Sequence, residues 1–275
     1  MNTETSLRSL RRSSLFVTVF AVLLILTGLT QLGLGGVAVA EEYERIERFE
    51  EMTRPRTYYG YQAQQAALQN EYNRSSTAFF LQGRFIPDNE TMSWTSPAMI
   101  SLYVLLLSGI GFLVSAMMWV WRAHGNIEQA GMRPKFGAGK VVAGYLIPAV
   151  NLILPFEAMR ELYNRSHGEG DDFAHSTAED VTAWWTAVIV GLIVFSVMVF
   201  KLMIDAGTNL ILMTPLWMEF GVFAFGIILL LGGAYLFSSL TRKITAAQEA
   251  LLPDLAIEPD MTEAPRRMSV NMVGG

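Results

Sequence analysis

Within nine residues lie His167, Glu169, Asp171, Asp172 and His175, the densest group of side chains in the chain that could ligate a metal or move a proton. Carboxylate and imidazole donors in that number are enough for a divalent cation. Their spacing follows no motif of fixed coordination geometry, so the stretch reads as an acidic loop, and no metal or other cofactor is expected. His124, close to Arg122, reads as a side chain at a membrane interface rather than as a base. No serine-histidine-acid set, phosphate loop or pair of catalytic carboxylates has a supporting context. The chain has no cysteine, which removes disulfides, thiolate metal sites and thiol catalysis. It is not expected to be an enzyme.

Asn151 offers a different kind of chemistry. It sits between Pro148 and Pro155 in the stretch VVAGYLIPAVNLILPFEAMRELYNRS, Val141 to Ser166. An amide in apolar surroundings must find a partner or bear the cost of desolvation. It either caps a half-helix and bonds a carbonyl freed by the prolines, or it contacts a ligand or ion as in transporters with broken helices. Glu219 and Lys201 are the other polar residues inside apolar runs. Intramembrane acids are functional candidates by default, but Glu219 lies near a run's start and Lys201 is long enough to snorkel.

These residues are positioned by a strongly apolar chain. Of its 275 residues 52% are hydrophobic and 16% charged, against about 25% charged in soluble domains. Four runs, Leu15 to Ala40, Pro97 to Trp121, Ala183 to Ile204 and Pro215 to Phe237, have the length and composition of transmembrane helices. Trp94, Trp119 and Trp121 flank the second run, as interfacial aromatics do. Gly111 and Ser115 within it have the small-xxx-small spacing that permits close helix approach. The expected fold is all-α: a polytopic integral membrane protein with four transmembrane helices plus a proline-broken re-entrant or interfacial segment.

The central stretch is too short and too interrupted to cross comfortably. Its apolar part ends at Phe156, and two prolines seven residues apart remove helix donors. Beyond Pro155, Phe156, Met159, Leu162 and Tyr163 share one helical face, with Glu157, Arg160, Glu161 and Arg165 around the other. That pattern predicts an amphipathic helix for the membrane surface or a partner helix.

Charge counting separates the topologies. With four spans, 13 of the 20 Lys and Arg residues lie on the side of both termini; with five, only 8 lie on the inner side. The positive-inside rule favours four, with both termini cytoplasmic.

The chain accordingly divides into a cytoplasmic start (1–14), a first transmembrane helix or signal peptide (15–40), and an extracytoplasmic helical loop (41–95). A membrane domain (96–251) and a disordered tail (252–275) complete it. Ala38-Val39-Ala40 has the shape of a cleavage site, but the apolar stretch is longer than a signal core of 7 to 15 residues, which favours a retained span. The loop opens with EEYERIERFEEM, a surface helix expected to end near Arg54-Pro55, and Tyr58 to Asn73 is expected to be helical. No basic stripe with interleaved aromatics appears, so nucleic acid is not an expected partner.

One set of residues carries a resemblance. Trp121-Arg122-Ala123 with Asn126, Pro134, Gly144-Tyr145, Pro148, Asn151-Leu152 and Pro155 form its first part. Glu161-Leu162, Ser166, Trp184-Trp185 and Ile244 to Gln248 complete it. Over roughly Pro97 to Leu251 the chain resembles the bacterial membrane proteins grouped as domain of unknown function 4328. Their pattern reads approximately W-R-A-x-x-N, then W-x-x-P-x-x-N-L-x-x-P, with Tyr145 standing here where tryptophan is usual. The resemblance implies an architecture and no reaction. Arg122, Asn126, Pro148, Asn151, Pro155 and Glu161 are the candidate ligand or partner-binding residues. The expected partners are membrane lipid and another membrane protein or a second copy of the chain. The expected role is a non-enzymatic scaffold or regulatory partner, with a small transporter or channel as the alternative.

Overall fold

The computed structural model describes residues 3–52, 97–147, 150–207 and 215–257. Pro148, most of the 41–95 loop, including the expected Tyr58 to Asn73 helix, and residues 258–275 of the tail lie outside them. The described residues form α1 (Thr3–Met52), α2 (Pro97–Gln129), α3 (Ala138–Leu146), a 3-10 turn (Val150–Leu152), α4 (Leu154–Ser166), α5 (Glu179–Gly207) and α6 (Leu216–Ile257). There is no strand among them.

Four of the helices contain stretches long and apolar enough to cross a membrane: Glu4–Glu44, Ile100–Gln129, Glu179–Lys201 and Trp217–Pro253. Only 17–22% of each apolar window is buried inside the chain. The rest of these side chains, such as Leu26, Leu107, Ile193 and Phe225, face outward. In water such an apolar exterior would be prohibitive, whereas lipid solvates it. The chain is a multi-pass, all-α membrane protein.

α1 packs against α2 on one side and α6 on another, and α6 packs in turn against α5. Close approach is built on small residues. A Cβ added at Gly111 on α2 would overlap the Phe20 ring of α1, so the glycine of the small-xxx-small pair is what seats that ring. The hydroxyls of Thr18, Thr27 and Thr30 on α1 bond carbonyls four residues back, which keeps them satisfied in apolar surroundings.

The core is concentrated at one end of the bundle. Leu10 and Val17 of α1, Trp119, Val120 and Ile127 of α2, Met159 and Leu162 of α4, Trp184 of α5, and Phe237, Leu240 and Ile244 of α6 meet there. Phe237 is its centre, with the rings of Phe112, Trp119 and Trp184 at 5.9, 5.9 and 5.4 Å. The far end holds a small contact of Val39 with Phe220 and Phe223.

The central segment begins and ends at the packed end. α2 stops at Gly131, whose φ of 80° supplies the left-handed turn that closes a helix. α3 follows and stops at Ile147, whose extended backbone (φ −91°, ψ 116°) is the conformation required of a residue before proline. Pro155 then sits in the first turn of α4, where a missing N–H costs nothing. Pro155 therefore opens a helix, and α3 ends at Leu146.

Two expectations differ from the structure. α4 is not a free amphipathic helix: Glu161 and Arg165, expected on its solvent side, are buried with Met159 and Leu162. They tolerate this because they pair with each other. α6 continues past Leu251 to Ile257, through Pro253, because Leu252 is itself buried.

Candidate functional site

The packed end is stitched by buried polar side chains from three helices, α2, α4 and α6. Gln248 of α6, fully buried, donates from Nε2 to the Ala123 carbonyl and to the Ser166 hydroxyl, both at 3.1 Å. Its Oε1 accepts from Asn126 Nδ2 at 3.5 Å. One turn earlier, Trp119 Nε1 donates to Thr245 Oγ1 at 3.1 Å. A buried amide with both ends occupied fixes helix rotation and depth at once, since any slip leaves polar atoms without partners.

A second group holds the short loop between α2 and α3. Glu161, 2% exposed, accepts from the Lys135 backbone N–H at 2.8 Å and from Arg165 Nε at 2.9 Å. Arg165 reaches on to Asp171 at 2.7 Å. Burial works against the charged guanidinium, but the two carboxylates outweigh it and push its pKa up. Glu128 accepts from the Ala138 N–H at 2.9 Å, serving as a remote cap for α3. Asp180, in the first turn of α5, accepts from Tyr163 Oη at 3.4 Å and Lys243 Nζ at 2.6 Å, tying α4, α5 and α6. Partial burial, with the Asp180 charge beside it, raises the Tyr163 pKa, so this phenol keeps its proton.

The candidate residues are divided by this arrangement. Asn126 and Glu161 lie in the buried network, Pro155 is buried at the start of α4, and Arg122 donates to the Ser9 carbonyl of α1 at 3.0 Å. Asn151 lies apart from them, half-buried in the 3-10 turn, its backbone N–H bonded to Ile147 at 2.9 Å. Its side chain has no hydrogen-bond partner among the described residues. Pro148 is outside the described residues.

Two members of the acidic stretch make local contacts. Asp171 is taken by Arg165, and His167 Nδ1 lies 2.7 Å from the Tyr163 carbonyl. Among the described residues no three His, Asp or Glu side chains come together to hold a metal ion.

Sequence reasoning missed the pairing of Gln248 with Ser166 and the role of Asn164, whose Nδ2 donates to the Ser176 carbonyl and hydroxyl at 3.0 Å. It also read Glu219 and Lys201 separately, whereas Glu219 is 7% exposed and its Oε1 is 2.8 Å from Lys201 Nζ. That pair joins α5 and α6 near the far end.

Around the broken segment the surface is apolar. Leu146, Ile147, Leu152 and Ile153 are 73, 49, 59 and 64% exposed. Gly144 lets the two arms close, because a Cβ there would overlap Leu154.

Residues 88–240, more than half of the chain, match the family model described as Domain of unknown function (DUF4328). The match covers the W-R-A-x-x-N stretch, the broken segment, α4 and the tryptophan pair, and ends before Ile244 to Gln248. No curated protein and no solved structure matches the chain. On the family match, the chain belongs to the DUF4328 family of proteins.

Proposed function

We propose that the protein is a non-enzymatic scaffold or regulatory partner in a bacterial plasma membrane, with its packed end in the cytoplasm. The observation that carries this reading is the self-contained polar network. Gln248, Asn126, Glu161 and Arg165 are committed to one another and to neighbouring groups, while Leu146, Ile147, Leu152 and Ile153 of the broken segment are exposed. A surface of that kind binds lipid, another membrane protein or a second copy of the chain.

The orientation follows from charge. Of the described Lys and Arg residues, all but Arg45, Arg48 and Lys201 belong to the packed end, the distribution expected of a cytoplasmic face. A reporter fused after Lys243 is expected to read as cytoplasmic. Mild crosslinking in intact cells followed by purification is expected to recover a specific protein or lipid, and recovery of neither removes the scaffold reading.

A small transporter is the second reading, favoured by Asn151, whose side chain is left without a described partner in the broken segment. Under it, Asn151→Leu lowers solute flux in reconstituted vesicles; unaltered flux discards it.

A further inference from the structure

We infer that α3 and α4 form an anionic-phospholipid element: the exposed Leu146, Ile147, Leu152 and Ile153 enter the acyl region of one leaflet while Lys135 and Lys140 hold headgroup phosphates at the base. This rests on the scaffold reading and names the lipid that the surface takes.

The outward face of α3 is graded. Ala138, Val141 and Gly144 are buried, leaving Lys140, Ala143, Leu146 and Ile147 on the exposed side, in order from base to tip. Charge therefore lies at one end of the stripe and only apolar side chains at the other. The second arm repeats this, with Leu152 and Ile153 exposed at the tip and Glu157 and Arg160 further along. Leu146, the most exposed of the tip residues at 73%, is as open as the outward-facing residues of the four long helices.

The dimensions agree with entry into one leaflet. From Lys140 to Ile147 the helix rises about 10 Å, against a hydrocarbon core of about 30 Å for both leaflets. The tip reaches into acyl chains without approaching the opposite face.

The base is built for phosphate. Lys135 and Lys140 lie 5.0 and 5.1 Å from the centroid of the Phe136 ring, which steadies two flexible stems at one level. Lys140 has no ion pair among the described residues, and Lys135 has only a 3.5 Å contact with Glu157 at an exposed position. Trp121, 54% exposed, lies against Gly139 at that level, where indoles mark the membrane interface. A protein partner would need about 800 Å² of contact, more than four side chains at a turn present. Lipid needs no such area.

Because the chain lacks cysteine, a single thiol can be placed at will. The full chain carrying Leu152→Cys, labelled with an environment-sensitive fluorophore, is reconstituted in vesicles of phosphatidylcholine with 30% phosphatidylglycerol, a composition of the experiment's choosing on the order of natural anionic content. Quenching by acyl-chain nitroxides and protection from aqueous iodide are expected; iodide quenching without nitroxide quenching overturns the insertion. In native mass spectrometry, retained phosphatidylglycerol is expected to fall at least about threefold, roughly 0.65 kcal/mol by the affinity relation, in the Lys135→Gln/Lys140→Gln variant. Equal retention overturns the headgroup assignment. Both substitutions are at exposed positions, so folding is preserved. Nitroxide quenching together with an empty crosslinking experiment separates the outcomes: the protein-scaffold reading then fails while the lipid element stands.

Discussion

The side-chain amide of Gln248 donates to the Ser166 hydroxyl at 3.1 Å, fastening the last residue of α4 to α6 across 82 positions of sequence. Because Gln248 also serves Ala123 and Asn126, its loss leaves several buried groups unpaired. Gln248→Leu is expected to lower stability by about 1–3 kcal/mol and Ser166→Ala by about 1 kcal/mol. Thermal unfolding of the detergent-solubilised protein measures both, and an unchanged midpoint for Gln248→Leu would show that the network is not what holds α4.

Lys201 and Glu219 form a buried pair, with side chains 15 and 7% exposed. Removing one member takes this buried ion pair from the other. Lys201→Met and Glu219→Leu should each cost about 3–5 kcal/mol, and the double replacement less than either, because desolvation offsets most of a buried pair's attraction. A double-mutant cycle on unfolding free energies tests this. Additive losses contradict it.

Tyr145 carries a buried hydroxyl without a hydrogen-bond partner among the described residues, and burial pushes its pKa above that of a free phenol. Tyr145→Phe removes the desolvated group at almost no change in shape, so a gain of about 1 kcal/mol is expected. The measurement is the same unfolding midpoint, and a fall in it would reveal a partner for the hydroxyl.

Glu161 holds the Lys135 backbone. In Glu161→Ala the loop loses that anchor, and tryptic cleavage after Lys135 is expected to accelerate about tenfold, the effect of roughly 1.4 kcal/mol on local opening. Glu161→Gln keeps an acceptor and should cleave at an intermediate rate. If alanine and wild type are cut equally fast, the anchor is of no consequence.

Gly144 faces Leu154 with no room for a side chain. Gly144→Val is expected to cost about 1–3 kcal/mol by overpacking, and Leu154→Ala in the same chain to recover part of it. Without that recovery, the strain lies elsewhere than in hairpin closure.

Much of the architecture was readable because it rests on local rules. Four apolar runs exceeded the span length, and Pro155 marked where a helix begins. The polar network was less accessible. An i,i+4 Glu161–Arg165 pair looks the same on a solvated helix face as in a protein interior, and only the tertiary neighbours of α4 decide between them. Lys201 and Glu219 belong to different spans, so each was read alone although the two form an ion pair. Ser166 and Gln248 did carry a signal, since both belonged to the family-like pattern, but a pattern does not say which residues touch.

α1 runs for 50 residues, about 75 Å at helical rise, whereas a bilayer with its headgroups is about 40–45 Å thick. A rod of that length overshoots the membrane by roughly 30 Å. On the far side Val39 is clasped by Phe220 and Phe223, and the Trp217 N–H donates to the Tyr43 hydroxyl at 3.4 Å. The helix passes through Ala40 without a break, so these contacts with α6 are carried on the same rod that crosses the lipid.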